Sequence, residues 1–147
     1  MRLVVDASVA LKWFFHERAD AADSAVATEI LGRFAAGELE LIAPVHFAIE
    51  VCAVLVREMP DTMTRHRSWL EDLSIPVRDD PLVLARAMRL AHRLDHHLFD
   101  TLHHALALED EAVLVTADRR YSAKAKEQGG IIELSRWTFD TGGGSPP

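Results

Sequence analysis

Four acidic residues sit where a purely structural chain rarely puts them: Asp6, Glu50, Asp100 and Asp118. Asp6 directly follows the apolar run Leu3-Val4-Val5, and Asp118 closes Val113-Leu114-Val115-Thr116-Ala117. Sites in open parallel sheets form just outside the carboxyl ends of strands, where these two acids fall. Either acid would also serve as a helix cap, and that structural role stands beside the chemical one. Glu50 is flanked by Ala48, Ile49, Val51 and Cys52, and on a helix its own face carries Phe47 and Val54. A carboxylate in such surroundings costs free energy unless it is paired, for example with His46, or holds a metal. Asp100 opens the run Asp100-Thr101-Leu102-His103-His104-Ala105-Leu106, again as a cap or as a ligand.

Taken together, two acids stand at strand ends and two on helices able to pack beside those ends. Carboxylates brought together repel one another, so such a cluster calls for divalent cations. An all-oxygen donor set with room for water suits Mg2+ or Mn2+. Sites of this kind drive phosphodiester hydrolysis: the cation lowers the pKa of a water, orients the phosphate and offsets charge on the leaving oxygen.

The elements that must position these acids are readable from the pattern of apolar residues. Strands are expected at Leu3–Val5, Leu39–Ala43, Ser74–Val77, Ala112–Thr116 and Ile131–Leu134. Helices are expected from Ser8, as cap, to Phe15; from Asp20 to Ala36; and from Pro44, in the first turn, to about Met59. Further helices are expected over Thr62–Leu73, from Pro81 (capped by Asp79 or Asp80) to about Leu94, from Phe99 or Asp100 to about Glu109, and over Arg119–Gln128. Strands alternating with helices imply an α/β fold with a mostly parallel sheet covered on both faces.

The 147 residues suit one domain, with 49% hydrophobic and 27% charged residues, the balance of a globular chain. Residues 1–137 are expected to form it and residues 138–147, which include Gly142-Gly143-Gly144-Ser145-Pro146-Pro147, a flexible tail. An acid follows only three apolar residues at the start, and no run approaches a membrane span, so a cytoplasmic protein without membrane contact is expected. The single cysteine, Cys52, excludes an intrachain disulfide and is expected to be buried as a small hydrophobe.

Eight histidines invite a zinc reading, but the chain lacks HExxH, and the adjacent pairs His96-His97 and His103-His104 do not face one site from a helix. Ordinary core or surface histidines are expected, with His103 or His104 able to touch Asp100. A haloacid-type phosphatase would need Asp-x-Asp after the first strand, where this chain has Asp6-Ala7-Ser8. A receiver domain would need a second acid before Asp6, where Leu3-Val4-Val5 has none.

The segments Val4-Val5-Asp6-Ala7-Ser8-Val9-Ala10-Leu11-Lys12-Trp13, Ala48-Ile49-Glu50-Val51, Phe99-Asp100-Thr101 and Val115-Thr116-Ala117-Asp118 resemble, in order and spacing, the PIN-domain family, and within it the VapC-like toxins of toxin–antitoxin pairs. The resemblance covers residues 1 to about 137. It implies a three-layer α/β/α sandwich and endonucleolytic cleavage of RNA dependent on Mg2+ or Mn2+. The family's metal-binding acids fall on Asp6, Glu50, Asp100 and Asp118, and Ser8 and Thr116 match polar positions that support them. Phe99 stands where relatives often have Tyr, and Ala53 near where many have Asn. The resemblance also implies a VapB-like antitoxin partner and a homodimer. A binding module that had kept the fold but not the chemistry would be marked by a lost acid, and none is lost.

A net charge of −7 runs against the basic surface usual for nucleic-acid binding. Basic groups are nevertheless concentrated: Arg86, Arg89 and Arg93 at helical spacing, and Arg119, Arg120, Lys124 and Lys126 in a second group. Lys12, Arg119 and Arg120 are the candidates for contact with RNA phosphates; solvated helix faces account for the same residues.

Overall fold

A computed structural model describes residues 1–15 and 20–139. Five strands, β1 (Arg2–Val5), β2 (Glu40–Pro44), β3 (Val77–Arg78), β4 (Val113–Thr116) and β5 (Ile131–Glu133), form one parallel sheet in the order β3-β2-β1-β4-β5. The helices are α1 (Ala7–Ala10), continued by a 3₁₀ turn over Leu11–Trp13, α2 (Ala21–Ala35), α3 (Phe47–Glu58), α4 (Met63–Asp72), α5 (Pro81–Leu94), α6 (Leu98–Glu109) and α7 (Arg119–Ala125).

The central strand β1 shows how the layers arise. Its residues alternate between the faces of the sheet. Leu3 and Val5 join a core with Trp13, Ile30, Phe47, Val51, Leu55 and Leu70, from α1 to α4. Val4 joins the opposite core with Val83, Ala87, Leu90, Ala105, Leu106 and Tyr121, from α5 to α7. A sheet buried on both faces needs apolar residues at both parities, which is why its central strands read as unbroken apolar runs. The result is the expected three-layer α/β/α sandwich.

Several boundaries differ from the sequence expectation. Pro44 ends β2 rather than opening α3. Its fixed φ suits extended backbone as well as a helix, and as the last strand residue it is not called on for a ladder donor. The third strand lies at Val77–Arg78 instead of Ser74–Val77, because Ser74 has φ 51 and Ile75-Pro76 is still a connection, whose Pro76 carbonyl accepts the Ala43 N–H at 2.9 Å. Asp6, not Ser8, caps the first helix, which tightens to 3₁₀ after one turn. Asp80 caps α5, with Pro81 in its first turn. Cys52 is half-buried rather than fully buried. Of the residues expected as a tail, Phe139 packs edge-on against Trp137 and lies 4.0 Å beneath the Arg33 guanidinium. Residues 140–147 lie outside the described residues.

Candidate active site

The carboxyl ends of β1 and β4 are neighbours, since Val5 pairs with Val115. Asp6 therefore emerges beside Thr116, and their side chains meet: the Thr116 hydroxyl donates to Asp6 Oδ2. Ser8 donates to Asp6 Oδ1, which also accepts the Val9 N–H at 3.2 Å. Ser8 Oγ in turn accepts the Ala117 N–H at 3.0 Å, and Thr116 Oγ1 accepts the Asp118 N–H at 3.0 Å. Two hydroxyls thus tie the ends of both strands to one carboxylate. Burial pushes the Asp6 carboxyl above the usual carboxylate range, against the opposing pull of His103 and the hydroxyl donors. A half-buried carboxylate that resists ionisation in the bare protein is one that a cation would stabilise.

Asp118 caps α7 by accepting the Tyr121 N–H at 2.9 Å through Oδ1. Asp100 makes no cap; it lies in the first turn of α6, where the helix dipole favours an acid. Its Oδ2 accepts from His96 Nε2 at 2.8 Å. Lys124 donates to the Asp95 carbonyl at 2.9 Å and lies 3.4 Å from His96 Nδ1, which leaves the His96 proton on the Nε2 facing Asp100. His96, Asp100 and Asp118 offer ligand atoms that all lie within 4.8 Å of one another.

Glu50 lies in the first turn of α3, following β2. His46 Nε2 stands 2.6 Å and His103 Nε2 3.0 Å from the same oxygen, Oε1. Burial works to raise this carboxyl, but the hydrogen bonds and charges of the two histidines outweigh it and pull it down to about 2. His46, Glu50 and His103 form a second set of ligand atoms within 4.8 Å of one another. Among the described residues three of the four acids thus fall into two groups of ligand atoms, Asp100 with Asp118 and Glu50 apart from them, and Asp6 is in neither. Asp6 links them electrically: it feels His103 on one side, and the Tyr121 phenol feels Asp100, Asp118 and Asp6 together.

His46 pairs with Glu50 as the sequence suggests, whereas the contacts of His96 with Asp100 and of His103 with Glu50 are not what it led one to expect. Neither His103 nor His104 touches Asp100; His96, four residues before the acid, does. Side chains tilt toward the N-terminus of a helix, so Asp100 leans back to His96 and away from the turn that follows. The recoverable signal is a histidine four residues ahead of an acid, found at both His46–Glu50 and His96–Asp100. His104 is buried, with its Nε2 2.7 Å from the Gly129 carbonyl and its Nδ1 3.0 Å from the Tyr121 hydroxyl. Since the carbonyl can only accept, His104 Nε2 donates to it and Tyr121 donates to Nδ1. Burial lowers the His104 pKa, in keeping with a neutral ring, and burial together with the nearby acids raises that of Tyr121.

The basic residues divide. Arg86 pairs with Glu109, and Arg93 lies 3.0 Å from the Gln128 side chain, so two members of that stripe fasten α5 to its neighbours. Arg119 pairs with Glu133 at 3.2 Å while staying largely exposed. Arg120 lines a polar hollow of about 240 Å³ with Asp95, His96, His97 and Lys124, next to the Asp100 carboxylate. Among the described residues, Lys12 makes no ion pair. A larger cavity of about 530 Å³ lies away from Asp6, Asp100 and Asp118, between α3, α4 and β3, and is lined mainly by apolar residues such as Ile49, Cys52, Val56 and Leu70.

The PIN domain family model matches residues 3–127. The chain belongs to the PIN-domain family. No curated protein matches it. A solved structure, PAE2754 from Pyrobaculum aerophilum, is similar with a TM-score of 0.63 and 22% identity over 91% of this chain and 90% of that one, which supports the PIN-like fold. PIN domains are generally metal-dependent nucleases, and the two acid–histidine groups of this PIN domain are suited in donor type to divalent metal. Among the described residues no helix is long and apolar enough to cross a membrane.

Proposed function

We propose that this PIN domain is a metal-dependent endoribonuclease, the VapC-like toxin of a toxin–antitoxin pair, acting in the cytoplasm through Asp6, Glu50, Asp100 and Asp118. The reading draws its main support from one observation: Asp6 is half-buried at the end of β1 against Thr116 and Ser8, with Asp100 and Asp118 close enough for the Tyr121 phenol to feel all three. The donor set fits a hard divalent cation, being carboxylates of which one is half-buried and short of charge compensation. The four acids would hold Mg2+ or Mn2+, which when bound supplies an activated water and offsets charge on the leaving oxygen.

The protein's own residues do the positioning. Ser8 and Thr116 fix both oxygens of Asp6, and His96 fixes Asp100. Arg120, in the hollow beside His96, stands ready for a phosphate of the RNA strand; Arg119 and Lys12 are further candidates. The proposed unit is a single PIN domain that includes the packed Phe139, with a VapB-like antitoxin as partner and a homodimer.

The test is to incubate partner-free protein with total cellular RNA and Mg2+ or Mn2+, beside Asp6→Asn. Cleavage that a chelator stops and Asp6→Asn lacks is the expected result. Equal silence of both proteins, with no metal binding, would instead favour a PIN fold kept only for binding protein or RNA.

A further inference from the structure

Two imidazole nitrogens aimed at one oxygen of Glu50 are more than a carboxylate needs for satisfaction. His46 and His103 are almost fully buried, with side-chain exposures of 8% and 1%, and their rings lie 4.7 Å apart. The Phe99 carbonyl completes the neighbourhood, 2.8 Å from His46 Nε2. Two nitrogens and one carboxylate oxygen therefore lie within 4.8 Å of one another, with the carbonyl oxygen beside one of the nitrogens. The other group, His96, Asp100 and Asp118, offers one nitrogen beside two carboxylates; here two nitrogens stand beside one.

We propose that His46, Glu50 and His103 form a binding site for a borderline transition-metal cation of the Zn2+ class. Two histidines and a glutamate are a known zinc-binding set, and imidazole favours such ions over Mg2+. Metal–ligand bonds of about 2.0–2.2 Å in tetrahedral array separate the ligand atoms by roughly 3.3 Å. The present separations of 2.6 and 3.0 Å are those of protons in the metal's place, and Glu50, partly exposed on the first turn of α3, needs to move by only a few tenths of an ångström. Among the described residues neither His46 Nδ1 nor His103 Nδ1 has a hydrogen-bond partner, so each Nδ1 is free to take the ring proton when Nε2 takes the metal, at the cost of a buried N–H without an acceptor. The same lack of an outer partner makes this a site of moderate affinity.

This site shares Glu50 with the proposed nuclease centre, and in that one consequence it rests on that reading: Zn2+ held here takes Glu50 and inhibits Mg2+-dependent cleavage. Binding itself is measured without RNA, so either reading can fail while the other stands. Chelator-stripped full-length protein is titrated with Zn2+ by calorimetry and with Co2+ as the visible-absorption probe. The expected result is one equivalent bound with moderate affinity, with the absorption of a nitrogen-ligated, low-coordinate Co2+. His46→Gln and His103→Gln each weaken it by at least about tenfold. Asp118→Asn, in the other acid group, changes it less than twofold. Zn2+ binding that survives His46→Gln, or that Asp118→Asn weakens as much, overturns the proposal. Should both glutamine variants lose their fold by circular dichroism, the wild-type histidine proton resonances decide. Two buried rings shifting on Zn2+ addition support the site, and unmoved buried rings refute it.

Discussion

His103 Nε2 lies 3.0 Å from the Glu50 carboxylate, although 53 residues separate the two in the chain. One residue is in α6 and the other in α3, so the pair bridges helices on opposite faces of the sheet. Because this contact and His46 pull the Glu50 carboxyl from its ordinary 4.5 to about 2, the folded state binds its proton less readily than the unfolded chain. The stabilisation is complete above about pH 4.5 and fades as pH falls toward about 2. Glu50→Gln is expected to remove that part of the acid-limb slope, on the order of 2 kcal/mol once partial exposure is allowed for. Denaturant titrations of both proteins between these pH values check it; parallel acid limbs would sink the assignment.

Asp6 carries the opposite sign. Its folded pKa is raised by burial, so between the unfolded and folded values the native state holds the extra proton and stability falls as pH rises. At neutral pH without metal, Asp6→Asn is expected to stabilise the protein, by on the order of 1 kcal/mol. The amide keeps Oδ1 toward Ser8 and Val9 while its nitrogen donates to Thr116, whose hydroxyl can turn to accept. Mg2+ should raise the melting temperature of the wild type and not that of the variant. A variant less stable than wild type in chelator would contradict this.

Much of this was legible in the sequence, and the limits have physical causes. The five strands and the acids beside them stood out because an ionisable group at the end of an apolar run breaks a one-dimensional pattern. His46 stood out as a partner for Glu50 four residues away, but His103 did not, since a buried histidine is unremarkable until the residue facing it is known. For His103 that residue is brought close only by packing two helices across the sheet edge. Pro44 was misplaced because the same φ serves a first helical turn and a last strand residue, and only its register opposite Arg78 decides between them.

Asp118 separates folding from chemistry. Its Oδ1 caps α7, a role that Asn fills as well as Asp and that Ala does not. Asp118→Asn should keep the melting temperature within a degree or two yet reduce cleavage by roughly a hundredfold or more, through the lost ligand charge. Asp118→Ala should lose the same activity and also about 1 kcal/mol of stability. Thermal melts and initial cleavage rates of both variants test this; equal stability of the two would refute the capping role.

Tyr121→Phe removes only a hydroxyl, but that hydroxyl donates to buried His104 Nδ1. The imidazole acceptor is left without a partner, at a cost of about 1–3 kcal/mol. Because the hydroxyl is part of the α5–α7 core and not of the metal ligand sets, cleavage per folded molecule should change little. Chemical denaturation alongside single-turnover cleavage separates these effects, and a large fall in the cleavage rate of fully folded variant would count against the assignment.

The pairing of Val5 with Val115 has a consequence for how the chain tolerates changes of length. Side chains along a strand alternate, so adding or removing one residue in β1 would exchange its two apolar faces and turn Asp6 away from Thr116 at the same stroke. An insertion between β1 and its acid can thus be no gradual variation: it would damage both cores and dismantle the carboxylate anchor together. Mutational scanning should find Leu3 to Asp6 intolerant of any frame-preserving insertion, whereas the exposed turn at Gly37-Glu38, which holds no acid of the site, should accept added residues far more readily.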